Sequence, residues 1–153
     1  MITIKKFEKE DIQKVITFEK KLREEEPDTY YWDPDESYVK SLDKSFDDQR
    51  FNTAISFIAL KDDMVIGRID ASIITSRSDA ICCSAYLDWI CVLKSERHKG
   101  VAQKLLDALR EQCKKEGVGT LIALSANNDE AQRFYKSIKN ASMHDTGVWI
   151  DIV

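Results

Sequence analysis

The chain has 153 residues, 43% of them hydrophobic, and a formal net charge of −4, with a sequence pI near 5.3. That length is read as one domain over 1–153 with a substantial core, and that charge leaves no electrostatic footprint for nucleic acid. The N-terminal MITIKKFEKEDIQKV lacks the apolar core of a signal peptide, and no apolar run approaches the roughly 18 residues of a membrane span, so a cytoplasmic protein without a membrane partner is expected.

ITIKKF alternates like a short strand. From Asp11, a candidate cap, Ile12, Val15, Ile16 and Leu22 recur at helical spacing until the acidic stop REEEPD. Val39, Leu42 and Phe46 predict a second helix after DPDES. AISFIAL, the turn KDD and MVIGRIDASIITS form a hairpin signal, and ICCSAYLDWICVL reads as another long strand. The helix Val101 to Glu116 carries Ala102, Leu105, Leu106, Leu109 and Cys113 on one stripe, with Lys114 and Lys115 at its negative end and Gly117 at its stop. TLIALSA reads as a buried strand. Asn128 then caps a helix with Ala131, Phe134, Tyr135 and Ile138 on one face, and MHDTGVWIDIV predicts a final strand. The expected fold class is α/β, a mixed sheet with helices on both faces. Cys82, Cys83, Cys91 and Cys113 lack CxxC spacing and are expected to be reduced core thiols. The sequon at Asn140 carries no expectation of glycosylation.

One short turn stands out. Between the strand ending at Val92 and the helix opening at Val101 lies a basic segment with a single glycine, Gly100. A helix amino terminus exposes unpaired N–H groups and about half a positive charge, so strand–turn–helix units suit anions. Glycine lets the backbone approach a phosphate closely, and Arg97, His98 and Lys99 add side-chain charge. The chain has no GxxxxGK[ST] and no GxGxxG ahead of a helix. It also has no HExxH or other spacing that would hold a metal.

RHKGVA, Arg97 to Ala102, resembles the R/Q-x-x-G-x-G/A signature of the GNAT superfamily of acyl-CoA-dependent N-acetyltransferases. NDEAQRFY, Asn128 to Tyr135, is similar to that family's N-x-x-A-x-x-x-Y helix, and the element order matches over essentially the whole chain. The resemblance implies a mostly antiparallel twisted sheet with acetyl-CoA, the cosubstrate, in a splay between the fourth and fifth strands. It implies that backbone N–H groups of Arg97, His98, Lys99, Gly100, Val101 and Ala102 hold the pyrophosphate. Cys91 and Val92 would hydrogen-bond the pantetheine arm as an added strand would, and Asn128 would join the cofactor site. No metal is implied.

In the catalytic position of the resemblance, Tyr135 is the acid for a departing thiolate, a phenol of reference pKa about 10; a core aromatic beside Phe134 is its other reading. Asp88 is a candidate base, directly or through water, on a face shared with Tyr86, Ile90 and Val92; a solvated strand-end carboxylate is its alternative. Cys91 lacks the orienting group a nucleophile needs. Where the family usually follows its tyrosine helix with GF, this chain has Asn140 and Ala141; asparagine tolerates the left-handed conformation such a glycine supplies. The segment LREEEPDTYYWDPDES carries Glu24, Glu25, Glu26, Asp28, Asp33, Asp35 and Glu36 around Tyr30, Tyr31 and Trp32. Carboxylates with aromatics suit a cationic amine, whereas a solvated acidic loop with its rings folded onto the core is the plainer reading. The expected partner is a small-molecule or peptide amine, and a homodimer is the family's habit. A CoA-binding regulatory or toxin-neutralising module without turnover, and a scaffold that binds no CoA, remain the alternatives.

Overall fold

At Asp62 and Asp63 the chain takes two successive left-handed residues (φ 50° and 64°), a conformation short polar side chains accept, and so turns back on itself as a hairpin. Around it the elements of the computed structural model, which describes residues 1–80 and 83–152, run β1 (Ile2–Lys6), α1 (Ile12–Glu25), α2 (Glu36–Ser45), β2 (Ala54–Lys61), β3 (Met64–Ile74), β4 (Cys83–Val92), α3 (Val101–Lys115), β5 (Val118–Ala123) and α4 (Asp129–Ser137). They fall into two units, Met1–Ile122 and Ala123–Val153. Among the described residues no helix is long and apolar enough to cross a membrane.

The sheet order is β1-β2-β3-β4-β5. The pairings β1–β2, β2–β3 and β3–β4 are antiparallel, and β5 follows β4 through the helical crossover α3, which makes the sheet mixed but mostly antiparallel. Strand alternation sends neighbouring β3 residues to opposite faces. A Cβ on Gly67 would meet Leu105 and Val101 of α3, whereas Arg68 reaches Glu19 of α1. The two long helices therefore cover opposite faces of the sheet. On α3 the expected stripe is buried at Leu105, Leu106, Leu109 and Cys113, and Gly117 ends the helix with a left-handed φ of 74°. Asp35 caps α2 by accepting from Tyr38 N at 2.8 Å; Phe46, just past that helix, meets Phe7 edge-on at 5.1 Å.

In the second unit Asn128 caps α4, its side chain accepting from Ala131 N at 2.8 Å. Asn140 adopts φ 64°, the left-handed conformation expected of it. The final strand expected at MHDTGVWIDIV is not found: described residues 139–152 contain no strand, and Val148, Trp149, Ile150 and Ile152 are exposed. Alternating β-formers give a strand only where a neighbouring strand accepts their backbone bonds, so propensity alone misleads here.

Candidate active site

After β4 a single 3-10 turn, Lys94–Glu96, leads to two left-handed residues, His98 (φ 60°) and Gly100 (φ 77°), and then to α3. The first intrahelical bond of α3 runs from Lys104 N to Gly100 O at 3.1 Å, and among the described residues no side chain caps the helix. The N–H groups of Val101, Ala102 and Gln103 thus have no intrahelical acceptor. Among the described residues, its two chain neighbours aside, nothing lies within 4 Å of where a Cβ on Gly100 would stand. Open space in front of uncapped amides at a positive helix end suits a phosphate-sized anion.

The side chains of this turn are used differently from the sequence expectation. Arg97 forms a two-oxygen ion pair with Glu26, its Nη1 donating to Oε1 at 3.1 Å and its Nη2 to Oε2, and its Nε donates to Val92 O at 3.1 Å. Lys99 donates to Ser95 O at 2.8 Å and to Glu96 at 3.1 Å. Glu96 also accepts from Lys61 at 2.9 Å, and hydrogen bonds from Lys61 and then Lys99 hold its carboxyl below the usual range. Arg97 and Lys99 therefore arrive already paired with carboxylates. Glu25 accepts from Lys94 N at 2.7 Å and from Ser95 Oγ at 3.2 Å. The end of α1 is clamped onto the segment that enters the turn.

On β4 the register slips at Asp88. Asp70 faces Trp89 while Ala71 faces Leu87, so Asp88 is the extra residue of a β-bulge, and it is exposed. Tyr86 pairs with Ser72 and Ile90 with Ile69, on opposite faces of the sheet. The face that Asp88 was expected to share with Tyr86, Ile90 and Val92 does not exist, because the bulge breaks the alternation. Cys91 is buried and faces the same side as Arg68, its register partner. Burial pushes its thiol well above the ordinary range, the opposite of what a nucleophile needs. Cys113 is buried and Cys83 half-buried, both as free thiols; Cys82 lies outside the described residues.

In the second unit the side-chain oxygen of Asn128 is engaged as the α4 cap. The ring of Tyr135 is half-buried and meets Phe134 edge-on at 5.3 Å.

Five of the seven carboxylates between Glu24 and Glu36 have partners, Glu36 facing Lys40 at 3.9 Å. Glu25 and Glu26 hold the turn, Asp33 pairs with Arg23 at 3.1 Å, and Asp35 caps α2. Tyr31 is 81% exposed, whereas Trp32 lies edge-on to both Tyr30 (5.6 Å) and Trp89 (5.5 Å). The rings divide between the two readings: Trp32 folds in and Tyr31 stays out.

Beneath them lies a polar network that sequence reasoning missed. Glu19 is 1% exposed and Arg68 8%. Arg68 Nη1 donates to Glu19 at 2.7 Å and Nη2 to Asp70 at 3.2 Å; Nε faces Asp70 Oδ2 at 2.6 Å as a charge contact without hydrogen-bond alignment. Burial opposes the guanidinium's charge, and Asp70 and Glu19 more than offset it, so its pKa is raised. The signal was present: Glu19 falls on the apolar stripe between Val15 and Leu22, and Arg68 interrupts a buried strand.

The model of the acetyltransferase (GNAT) family matches residues 18–138. No curated protein matches the chain in sequence. Among solved structures, an aminoglycoside acetyltransferase from an uncultured soil metagenomic sample, in complex with sisomicin, superposes with a TM-score of 0.81 at 17% identity, over 99% of this chain and 97% of that one. A ribosomal-protein-alanine N-acetyltransferase from Brucella melitensis gives 0.75 at 16% identity, over 100% and 99%. AAC(6')-Iy, bound to a bisubstrate analogue built on coenzyme A, gives 0.72 at 19%, over 99% of both chains. At such identities the likeness speaks for the fold, and the family model speaks for kinship: this chain belongs to the GNAT family of acetyltransferases.

Proposed function

We propose that the chain is a single-domain N-acetyltransferase that moves an acetyl group from acetyl-CoA to a primary amine. The observation that carries this reading is the uncapped start of α3 behind Gly100, with open space before it, in a chain of this family. The residues present fit the cosubstrate. Backbone N–H groups from His98 to Ala102 would hold the pyrophosphate, and the β4 backbone at Cys91 and Val92 would bond the pantetheine amides. The bound thioester supplies the acetyl group and a thiolate leaving group.

For the chemistry, Tyr135 would hold a proton at its phenolic oxygen for the departing sulfur. Asp88, exposed in its bulge, would take a proton from the incoming amine through water. Most of the remaining barrier is met by positioning. The neighbours named for aminoglycosides and for a ribosomal protein's alanine support an amine acceptor that is a small molecule or a peptide. We favour a cationic one, because Tyr31 and Asp28 on the acidic connection between α1 and α2, and Glu24 at the end of α1, are exposed.

Thermal shift with acetyl-CoA against ATP, followed by an amine panel read by free-thiol release, tests the proposal. Stabilisation by acetyl-CoA with thiol release on a cationic amine is the expected result. Stabilisation without release from any amine would point to a CoA-binding module, and no stabilisation would remove the cofactor assignment.

A further inference from the structure

We propose that Glu19 is a positioning residue for the acceptor: a buried carboxylate that fixes the α1–α2 connection against β4 and so sets acceptor affinity without touching the acceptor. The proposal rests on the reading above that the exposed residues of this connection meet a cationic acceptor.

Glu19 sits in mid-α1, and donors from three other parts of the fold converge on it. Tyr38 OH of α2 donates to Oε1 at 3.0 Å and Arg68 Nη1 of β3 donates to the same oxygen at 2.7 Å. Trp32 Nε1, from the connection itself, donates to Oε2 at 3.1 Å. Arg68 lies over Trp89 at 5.5 Å and over Phe7 at 4.9 Å, and Trp89 is the ring against which Trp32 packs. One carboxylate thus fixes the Trp32 indole from its N–H edge, while the guanidinium it binds fixes the ring that Trp32 leans on.

A leucine at position 19 would pack α1 onto the sheet without the cost of burying a charge. What only an acceptor oxygen supplies there is direction. Hydrogen bonds select one rotamer of Trp32 and one placement of the chain on either side of it, which apolar packing specifies less tightly. Tyr30 and Tyr31 precede Trp32 directly, so the exposed ring proposed to meet the amine inherits its position from the bond to Glu19.

The test uses two mild variants that each remove one donor, because Glu19→Gln leaves Arg68 undercompensated and risks the fold. Tyr38→Phe keeps the ring and deletes the hydroxyl bonded to Glu19. Trp32→Phe keeps an aromatic ring against Trp89 and deletes the N–H. Both should raise the acceptor KM about 3- to 10-fold, the scale one hydrogen bond carries, with kcat and the acetyl-CoA dissociation constant within about twofold of the parent. The quenching comparison is made in a Trp149→Phe background, because Trp149 is itself 76% exposed. There, acrylamide quenching of tryptophan emission should increase in Tyr38→Phe as Trp32 and Trp89 loosen, and a Tyr38→His variant, which restores a donor without adding a tryptophan, should not reproduce the Phe effect in full. A lower melting temperature with unchanged acceptor KM and unchanged quenching would overturn the proposal and leave Glu19 as a packing residue. A change confined to acetyl-CoA affinity would also overturn it. Should the parent acetylate no amine at all, the acetyltransferase reading fails by itself, and the quenching comparison alone then decides whether Glu19 positions the connection.

Discussion

Glu26, one residue past α1, and Arg97, 71 positions later, share a two-oxygen ion pair in which each side chain is only 17% exposed. With Glu25 bound to Lys94 N and Ser95 Oγ, this pair joins the acidic end of the first helix to the segment that leads into the turn before α3. The acidic run that the sequence suggests for an amine acceptor therefore also holds the turn proposed to take the cofactor.

Glu25 is accordingly expected to matter for the cosubstrate. Glu25→Ala removes a charge-assisted bond to a backbone amide and a second bond to a hydroxyl, each of about 1 kcal/mol or more. Acetyl-CoA binding should weaken on the order of tenfold, as the loss of one to two such bonds from a positioning loop implies. Asp28→Asn, exposed and outside those bonds, should leave it unchanged. Titration calorimetry of both variants decides: equal dissociation constants would show that the clamp at Lys94 and Ser95 is incidental to cofactor binding, and would restore the sequence expectation that the acidic run concerns the acceptor alone.

Gly100 separates two costs that a single substitution usually mixes. Its φ of 77° strains any residue with a Cβ, while the space that Cβ would enter is open. Gly100→Val therefore burdens the fold itself by at least about 1–2 kcal/mol, and Gly100→Asn burdens it less because asparagine tolerates this conformation. For Gly100→Asn the melting temperature should drop by only a few degrees, yet acetyl-CoA affinity should fall by more than about tenfold. If calorimetry finds the parent affinity in a folded Gly100→Asn protein, no phosphate approaches this turn.

Much of the fold was legible because its signals are local. The KDD hairpin, the α3 stripe and the stop at Gly117 each depend on residues within a few positions of one another. The parts that were not legible depend on partners far along the chain. Residue alternation could not reveal that Asp88 is the extra residue of a bulge, since a bulge exists only relative to the register of β3. Arg97 and Lys99 look like free cations in the sequence because Glu26, the partner of Arg97, is remote, and spacing alone does not show that Glu96 turns toward Lys99. The C-terminal β-formers were read as a strand on propensity, which needs a neighbouring strand to be realised. The turn RHKGVA ahead of α3 was visible because its geometry is carried by six consecutive residues.

Tyr135→Phe keeps the ring that packs edge-on against Phe134 and removes only the phenolic hydroxyl with its proton. With the acid role assigned to it, turnover should fall roughly 10²-fold, the scale of one general acid, while acetyl-CoA affinity and melting temperature hold. The readout is kcat by thiol release beside calorimetry on the same preparation. An unchanged kcat would make Tyr135 a packing residue and move proton delivery to water.

The buried network should announce itself at alkaline pH. Burial, and then the negative charge of Glu19, push the Tyr38 phenol up to about 12 from its usual value near 10. Below about pH 10 the folded and unfolded chains both keep this proton, and it contributes no pH dependence. Between about pH 10 and pH 12 the unfolded chain loses the proton and the folded one retains it, so fewer protons are bound in the unfolded state and stability falls as pH rises. Lys5 and Lys9, whose carboxylate hydrogen bonds raise their pKa values, lose stability in the same direction over an overlapping range, so the parent curve alone cannot isolate the tyrosine. The comparison with Tyr38→Phe does. At pH 8 the parent should be the more stable of the two, because it makes the bond from Tyr38 to Glu19; that gap should hold to about pH 10 and close progressively toward pH 12 in urea unfolding. A gap that stays constant across the range would mean that Tyr38 titrates alike in both states, and that the hydroxyl is not held against the carboxylate of Glu19.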